Sequence, residues 1–124
     1  MAELIYPELS YKLVGILFEV DNQIGYGHRE NLYQVAIKNL LEENKINFKE
    51  QLESQISINN QPIKKYFVDF LIDDKIILEI KAGDRFNRDN IAQVYDYLKA
   101  NNLKLGIIAN FTKSGVKFKR IIYK

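Results

Sequence analysis

The stretch Val68-Asp69-Phe70-Leu71-Ile72-Asp73-Asp74-Lys75-Ile76-Ile77-Leu78-Glu79-Ile80-Lys81-Ala82 is two apolar runs around a pair of aspartates. Both runs are rich in β-branched and large apolar residues, which suit a pleated, half-buried surface. Asp73 and Asp74 tolerate turn conformations that most residues avoid. The pattern predicts a β-hairpin with strands over residues 66–72 and 75–81. It also places three ionisable residues on otherwise apolar strands: Asp69 on the first, and Glu79 and Lys81 on the second.

Successive side chains of a strand alternate between faces. Glu79 and Lys81 therefore share one face of the second strand, and Leu78 and Ile80 share the other. An acid and a lysine on such a strand are costly to bury unpaired. One reading is an ion pair, Glu79–Lys81 or Asp69–Lys81, on a half-exposed sheet. The other is chemical. Phosphodiester hydrolysis needs an activated water and neutralisation of a leaving oxygen. Mg²⁺ supplies both when carboxylates hold it and leave room for water and phosphate. A nearby lysine can orient the water and offset transition-state charge. Asp69, Glu79 and Lys81 are residues of those types, although Glu-x-Lys alone is weak evidence. The second reading has a geometric condition. With a two-residue loop Asp69 would face away from Glu79, so co-facing requires an odd-numbered loop such as Asp73-Asp74-Lys75, or a bulge.

Outward from the hairpin, residues 10–21 read as a helix, with Leu13, Ile16, Leu17 and Val20 at helical spacing. Gly25-Tyr26-Gly27 breaks it. A second helix spans residues 28–44, with Leu32, Ala36 and Leu40 beside Tyr33, Ile37 and Leu41 as its apolar stripe. Residues 48–58 read as a strand and Asn59-Asn60-Gln61-Pro62 as a turn. A third helix covers residues 88–100, with Asn87 as its cap. Its expected core stripe is Ile91, Val94, Tyr95 and Leu98. The uninterrupted apolar run at 105–111 predicts a strand covered on both faces. Residues 118–123 complete the sheet as an edge strand. The fold class is α/β (α+β), a mixed sheet flanked by helices in the order ααβββαββ, as a single domain over residues 1–124.

The chain has 124 residues, 47% of them hydrophobic and 27% charged, ordinary values for one globular domain. The absence of cysteine excludes disulfides and thiolate metal sites, and fits a cytoplasmic location. The lone histidine, His28, excludes a His-rich zinc site and reads as a surface or capping residue. The N-terminus does not resemble a signal peptide, and no apolar run approaches a membrane span of ~20 residues. The net charge of +2 conceals an asymmetry: residues 97–124 hold seven basic residues and no acidic one, while the remainder holds 11 basic and 16 acidic, a net of −5. A basic end beside an acidic pocket suits a phosphate-backbone partner, or the lysines merely solvate a helix end and two strands.

Three further residues merit attention. Glu30 lies in the first turn of the second helix, where the helix dipole favours an acid for ordinary reasons. Gln93 and Tyr97 are four residues apart, hence neighbours on one helix face. Gln93 lies about 160° from Ile91, so the pair is expected off the core, as surface or as a polar row aimed at a site.

Taken in order along the chain, these segments resemble the small GxxExxY family within the PD-(D/E)xK nuclease-like superfamily. The likeness rests on Gly27-His28-Arg29-Glu30-Asn31-Leu32-Tyr33, on Val68 to Ala82, on Gln93-x-x-x-Tyr97 as a RecB-like motif, and on a later strand ending in Asn110-Phe111. The resemblance implies a restriction-endonuclease-like core. It implies that Asp69 and Glu79, with Glu30, hold Mg²⁺ (or Mn²⁺ in its place), that Lys81 acts on the attacking water, and that Gln93 and Tyr97 touch substrate. Val68 stands where the superfamily's name has proline. The expected activity is a Mg²⁺-dependent nuclease on DNA; the alternative is a catalytically silent module binding nucleic acid or a protein. So small a chain leaves specificity to partners, a homodimer, or the structure of the nucleic acid.

Overall fold

A computed structural model describes residues 5–83 and 88–124. The elements are α1 (Pro7–Ile24), α2 (Glu30–Glu43), β1 (Phe48–Ile58), β2 (Gln61–Ile72), β3 (Ile76–Ala82), α3 (Arg88–Asn101), β4 (Leu105–Thr112) and β5 (Gly115–Ile122). The order is the expected one. The expected cap Asn87 lies outside the described residues. α1 is longer than its apolar stripe suggests, because Pro7 starts it at a position where a missing N–H is harmless.

One five-stranded sheet has the order β1-β2-β3-β4-β5. β3 and β4 run parallel, joined by the α3 crossover, and the other neighbours are antiparallel. α1 and α2 cover one face: Leu13, Leu17, Tyr33, Ile37 and Leu41 pack on Phe70, Leu78, Ile80 and Ile107. α3 covers the other, with Val94, Tyr97 and Leu98 on Val68, Ile77 and Ile108. β4 is buried along its whole length, as its unbroken apolar run predicts. At Gly106 any Cβ would collide with the Val94 side chain, so glycine sets how closely α3 approaches the sheet.

The β2–β3 loop meets the geometric condition. Ile72 pairs with Ile76 and Phe70 with Leu78, leaving the three residues Asp73-Asp74-Lys75 between. Asp73 and Asp74 both have positive φ, and Lys75 N–H closes the turn on the Ile72 carbonyl at 2.9 Å. Continuing the same register sets Asp69 opposite Glu79.

At that level the sheet is interrupted. β2–β3 pairing covers only residues 70–72 of β2. On the other side, pairing passes from Glu50–Phe70 to Leu52–Val68, skipping Gln51, which has φ 50°. Phe70 and Ile72 pack under α1 and α2, whereas Val68 and Tyr66 pack under α3. All four numbers are even, so β2 rolls over at Asp69. Beyond that point β1 and β2 continue as a two-stranded ribbon paired only to itself.

Candidate active site

The site lies where β2 leaves β3. The two acids fill the gap left in the backbone ladder. Asp69 N–H donates to Glu79 Oε1 at 2.8 Å, and Ile80 N–H donates to Asp69 Oδ2 at 2.7 Å. Each carboxylate thus accepts a main-chain N–H of the opposite strand.

Lys81 extends over the pair. Its Nζ is 3.8 Å from Glu79 Oε2 and 4.0 Å from Glu30 Oε1. Glu30 comes from the first turn of α2, so it reaches the acids through Lys81 rather than directly. One turn further on α2, Gln34 Nε2 donates to Asp69 Oδ1 at 2.9 Å. By sequence Gln34 falls on the wet face of α2. Its place four residues after Glu30 is the signal that puts it on the same side of the helix.

Burial decides the electrostatics. Glu79 is only 5% exposed. Its carboxyl is pushed up to about 8, first by loss of water and then by the neighbouring Asp69 charge. Asp69 is also raised, by burial, although the Ile80 N–H, the Glu79 carboxyl, Lys81 and Gln34 all favour its ionised form. Two carboxyls so close share a proton, since both cannot ionise cheaply in a low dielectric.

The segment before α2 is held by Tyr33. Its hydroxyl donates to the Gly25 carbonyl at 2.6 Å and its ring stacks on Phe111, with centroids 4.1 Å apart. His28 Nε2 donates to the Ile24 carbonyl at 2.9 Å, the capping role expected of it. On the far side of β3, Gly83 N–H donates to the Phe111 carbonyl, and Asn110 Nδ2 donates to the Gly83 carbonyl at 2.8 Å. Asn110 sits beside Lys81 in the β3–β4 register and is buried; among the described residues its Oδ1 has no hydrogen-bond partner.

α3 departs from expectation. Tyr97 is buried against Tyr66, Val68 and Leu98, and is not part of an exposed polar row. Tyr95, expected in the core, is 42% exposed and meets Tyr123 edge-on. The stripe is rotated: Tyr97 follows Val94 by three residues and precedes Leu98 by one, so all three fit one face of the helix. Gln93 is half-buried.

Among the described residues no three acidic, histidine or cysteine side chains converge as a ready-made metal cluster. The donors present still fit Mg²⁺. That ion takes oxygen ligands and is commonly held by one or two carboxylates, with water and substrate phosphate completing the shell. A hard dication that displaces the proton held between half-buried Asp69 and buried Glu79 would offset the charge that the pair otherwise avoids.

An interrupted mixed sheet with helices on both faces, an Asp at the interruption and Glu-x-Lys opposite it define a restriction-endonuclease-like domain. The chain belongs to the PD-(D/E)XK nuclease superfamily, whose family model matches residues 7–121. Among solved structures it is similar to SSO0001, at 20% identity and a TM-score of 0.58, a likeness of fold. The match takes in 94% of this chain and 57% of the other, so the chain spans little more than half that protein's length. No curated protein matches the chain.

Proposed function

We propose that the protein is a Mg²⁺-dependent nuclease that hydrolyses phosphodiester bonds of DNA. The observation that carries this reading is the exchange between Asp69 and Glu79 at the break in the ladder, with Lys81 3.8 Å from Glu79. Two carboxylates tied to opposite strands are held in place without each other's help, so they stay converged when the shared proton leaves. Asp69 and Glu79 would hold the cation. What bound Mg²⁺ supplies is a more acidic water and charge neutralisation at phosphate oxygens.

The other residues act around that pair. Gln34 fixes the Asp69 carboxylate by donating to Oδ1 while the Ile80 N–H holds Oδ2. The Lys81 ammonium orients the attacking water and offsets charge building on the phosphate. Glu30 pairs with Lys81 from α2 and keeps that long side chain over the acids; its role is positioning. Tyr97 anchors α3, and Gln93, half-buried one turn earlier, is the α3 residue assigned to substrate.

Cleavage of plasmid and single-stranded DNA, titrated with Mg²⁺ and Mn²⁺, tests the reading. Wild type is expected to cut only with metal, and Asp69→Ala and Lys81→Ala not at all. Cleavage that survives both substitutions contradicts it. Salt-sensitive binding with no cleavage under any metal favours a silent nucleic-acid-binding module.

A further inference from the structure

The β1–β2 ribbon has no role in the chemistry above, yet it stands largely exposed beyond the sheet. Past the rollover at Gln51 and Asp69, its first residues still pack: Tyr66 and Val68 lie under α3. From residue 57 to residue 65 every position is exposed. The end is a tight turn with Asn59 and Asn60 both at positive φ. A free two-stranded ribbon gains little from its own pairing, and this one exposes Ile58 at 61% and Ile63 at 60%. Solvent does not favour that arrangement.

The composition of the ribbon end singles out a partner. Residues 54–66 contain Lys64 and Lys65 and no acidic residue, within the part of the chain that is otherwise net acidic. Lys65 pairs with the exposed Glu53 at 3.5 Å. Lys64 has no ion pair among the described residues. The turn presents asparagine amides, which can donate to and accept from base edges. A two-stranded ribbon is one of the shapes a DNA groove admits, and apolar side chains at such ends can wedge between base steps. A protein partner for the two isoleucines would explain neither the lysines nor the amides.

We infer that the β1–β2 ribbon is a DNA-binding arm: Lys64 and Lys65 contact phosphates, and Asn59, Asn60 and the flanking isoleucines enter a groove of the duplex. The inference rests on the nucleic-acid reading of the site and adds where the duplex is gripped. Asp69 and Asn60 lie on one continuous length of chain nine residues apart. At about 3.3 Å per residue the arm reaches roughly 30 Å from the site, close to the ~34 Å of one helical turn. Tight binding therefore needs about ten base pairs of duplex on one side of the scissile bond.

The test is fluorescence anisotropy with a labelled 30-base-pair duplex in EDTA, where nothing is cut. Wild type, Lys64→Ala/Lys65→Ala and Ile63→Ala are compared across a salt series. Each phosphate contact contributes about 0.9 to the slope of log affinity against log salt. The double lysine variant should lose up to about 1.8 from that slope and bind several-fold more weakly. Ile63→Ala should weaken binding without changing the slope. Duplexes of about eight base pairs should bind wild type and the lysine variant alike. All three sites are exposed, so the variants fold, and circular dichroism checks it. An unchanged slope and affinity in the lysine variant overturn the inference, as does sedimentation showing that Ile63→Ala dissociates a homodimer while DNA binding is untouched. Arm-dependent binding without metal-dependent cleavage sinks the nuclease reading and leaves the arm. Cleavage with a lysine variant that binds like wild type does the reverse.

Discussion

Raising the pH in the absence of metal should weaken the fold through Glu79. Its carboxyl moves from an ordinary 4.5 to about 8 on folding. A raised carboxyl stabilises the folded state fully below its unfolded pKa, and that contribution is lost as pH rises through its folded pKa. Between those values the folded chain holds one proton that the unfolded chain has released. The slope is about 1.4 kcal/mol per pH unit. From about pH 5.5 to about pH 7.5 the loss is on the order of 2–3 kcal/mol. At 5% exposure solvent screens this little. For a chain of 124 residues it corresponds to a fall of roughly 10 °C in Tm. Glu79→Gln removes the titration and keeps an N–H that can donate to Asp69. The assay is thermal unfolding in EDTA at both pH values for wild type and Glu79→Gln, with the variant as background for all other groups. Millimolar Mg²⁺ should recover much of the loss at the higher pH, because only the deprotonated pair binds it. A wild-type-minus-variant difference that does not change between the two pH values would show that Glu79 does not hold a proton in the folded state.

Gln34→Ala deletes the side-chain donor to Asp69 Oδ1. At about 1.5–3 kcal/mol for a hydrogen bond to a charged group, cleavage should fall roughly 10- to 100-fold with the fold intact, and Gln34→Asn should not restore it. Tyr33→Phe keeps the ring stacked on Phe111 but strips the Gly25 carbonyl of its 2.6 Å donor; urea unfolding should show a loss of about 1–3 kcal/mol. Gly106→Ala drives a methyl into Val94, costing about 1–3 kcal/mol, and adding Val94→Ala should return part of it, a coupling that a double-mutant cycle reads directly.

Much of this molecule is visible in its residues. Glycines, prolines and paired asparagines or aspartates mark the ends of α1, β1 and β2, so the element order follows from local chemistry. The odd loop follows from the demand that Asp69 and Glu79 share a face, and three residues supply it. Three features resist such reading. The phase of α3 turns on about 60° of rotation, too little for apolar spacing alone to choose Tyr95 or Tyr97 as the buried tyrosine. Gln34 meets Asp69 across 35 positions of sequence, and only the packing of α2 on the sheet joins them. The rollover of β2 appears as no break in its alternation, because Tyr66, Val68, Phe70 and Ile72 are all apolar; the strand changes the face it buries without changing its pattern. That hidden reversal both opens the ladder for the two acids and frees the ribbon.

If this opening is a cation site closed by a shared proton, binding of an ion must release that proton. Calorimetric titration of Mn²⁺ at about pH 7, in two buffers of different ionisation enthalpy, measures the metal and the proton together. Wild type should bind saturably and release about one proton per ion, and Asp69→Ala and Glu79→Gln should not bind. Binding that persists in both variants, or that releases no proton in wild type, would contradict such a site.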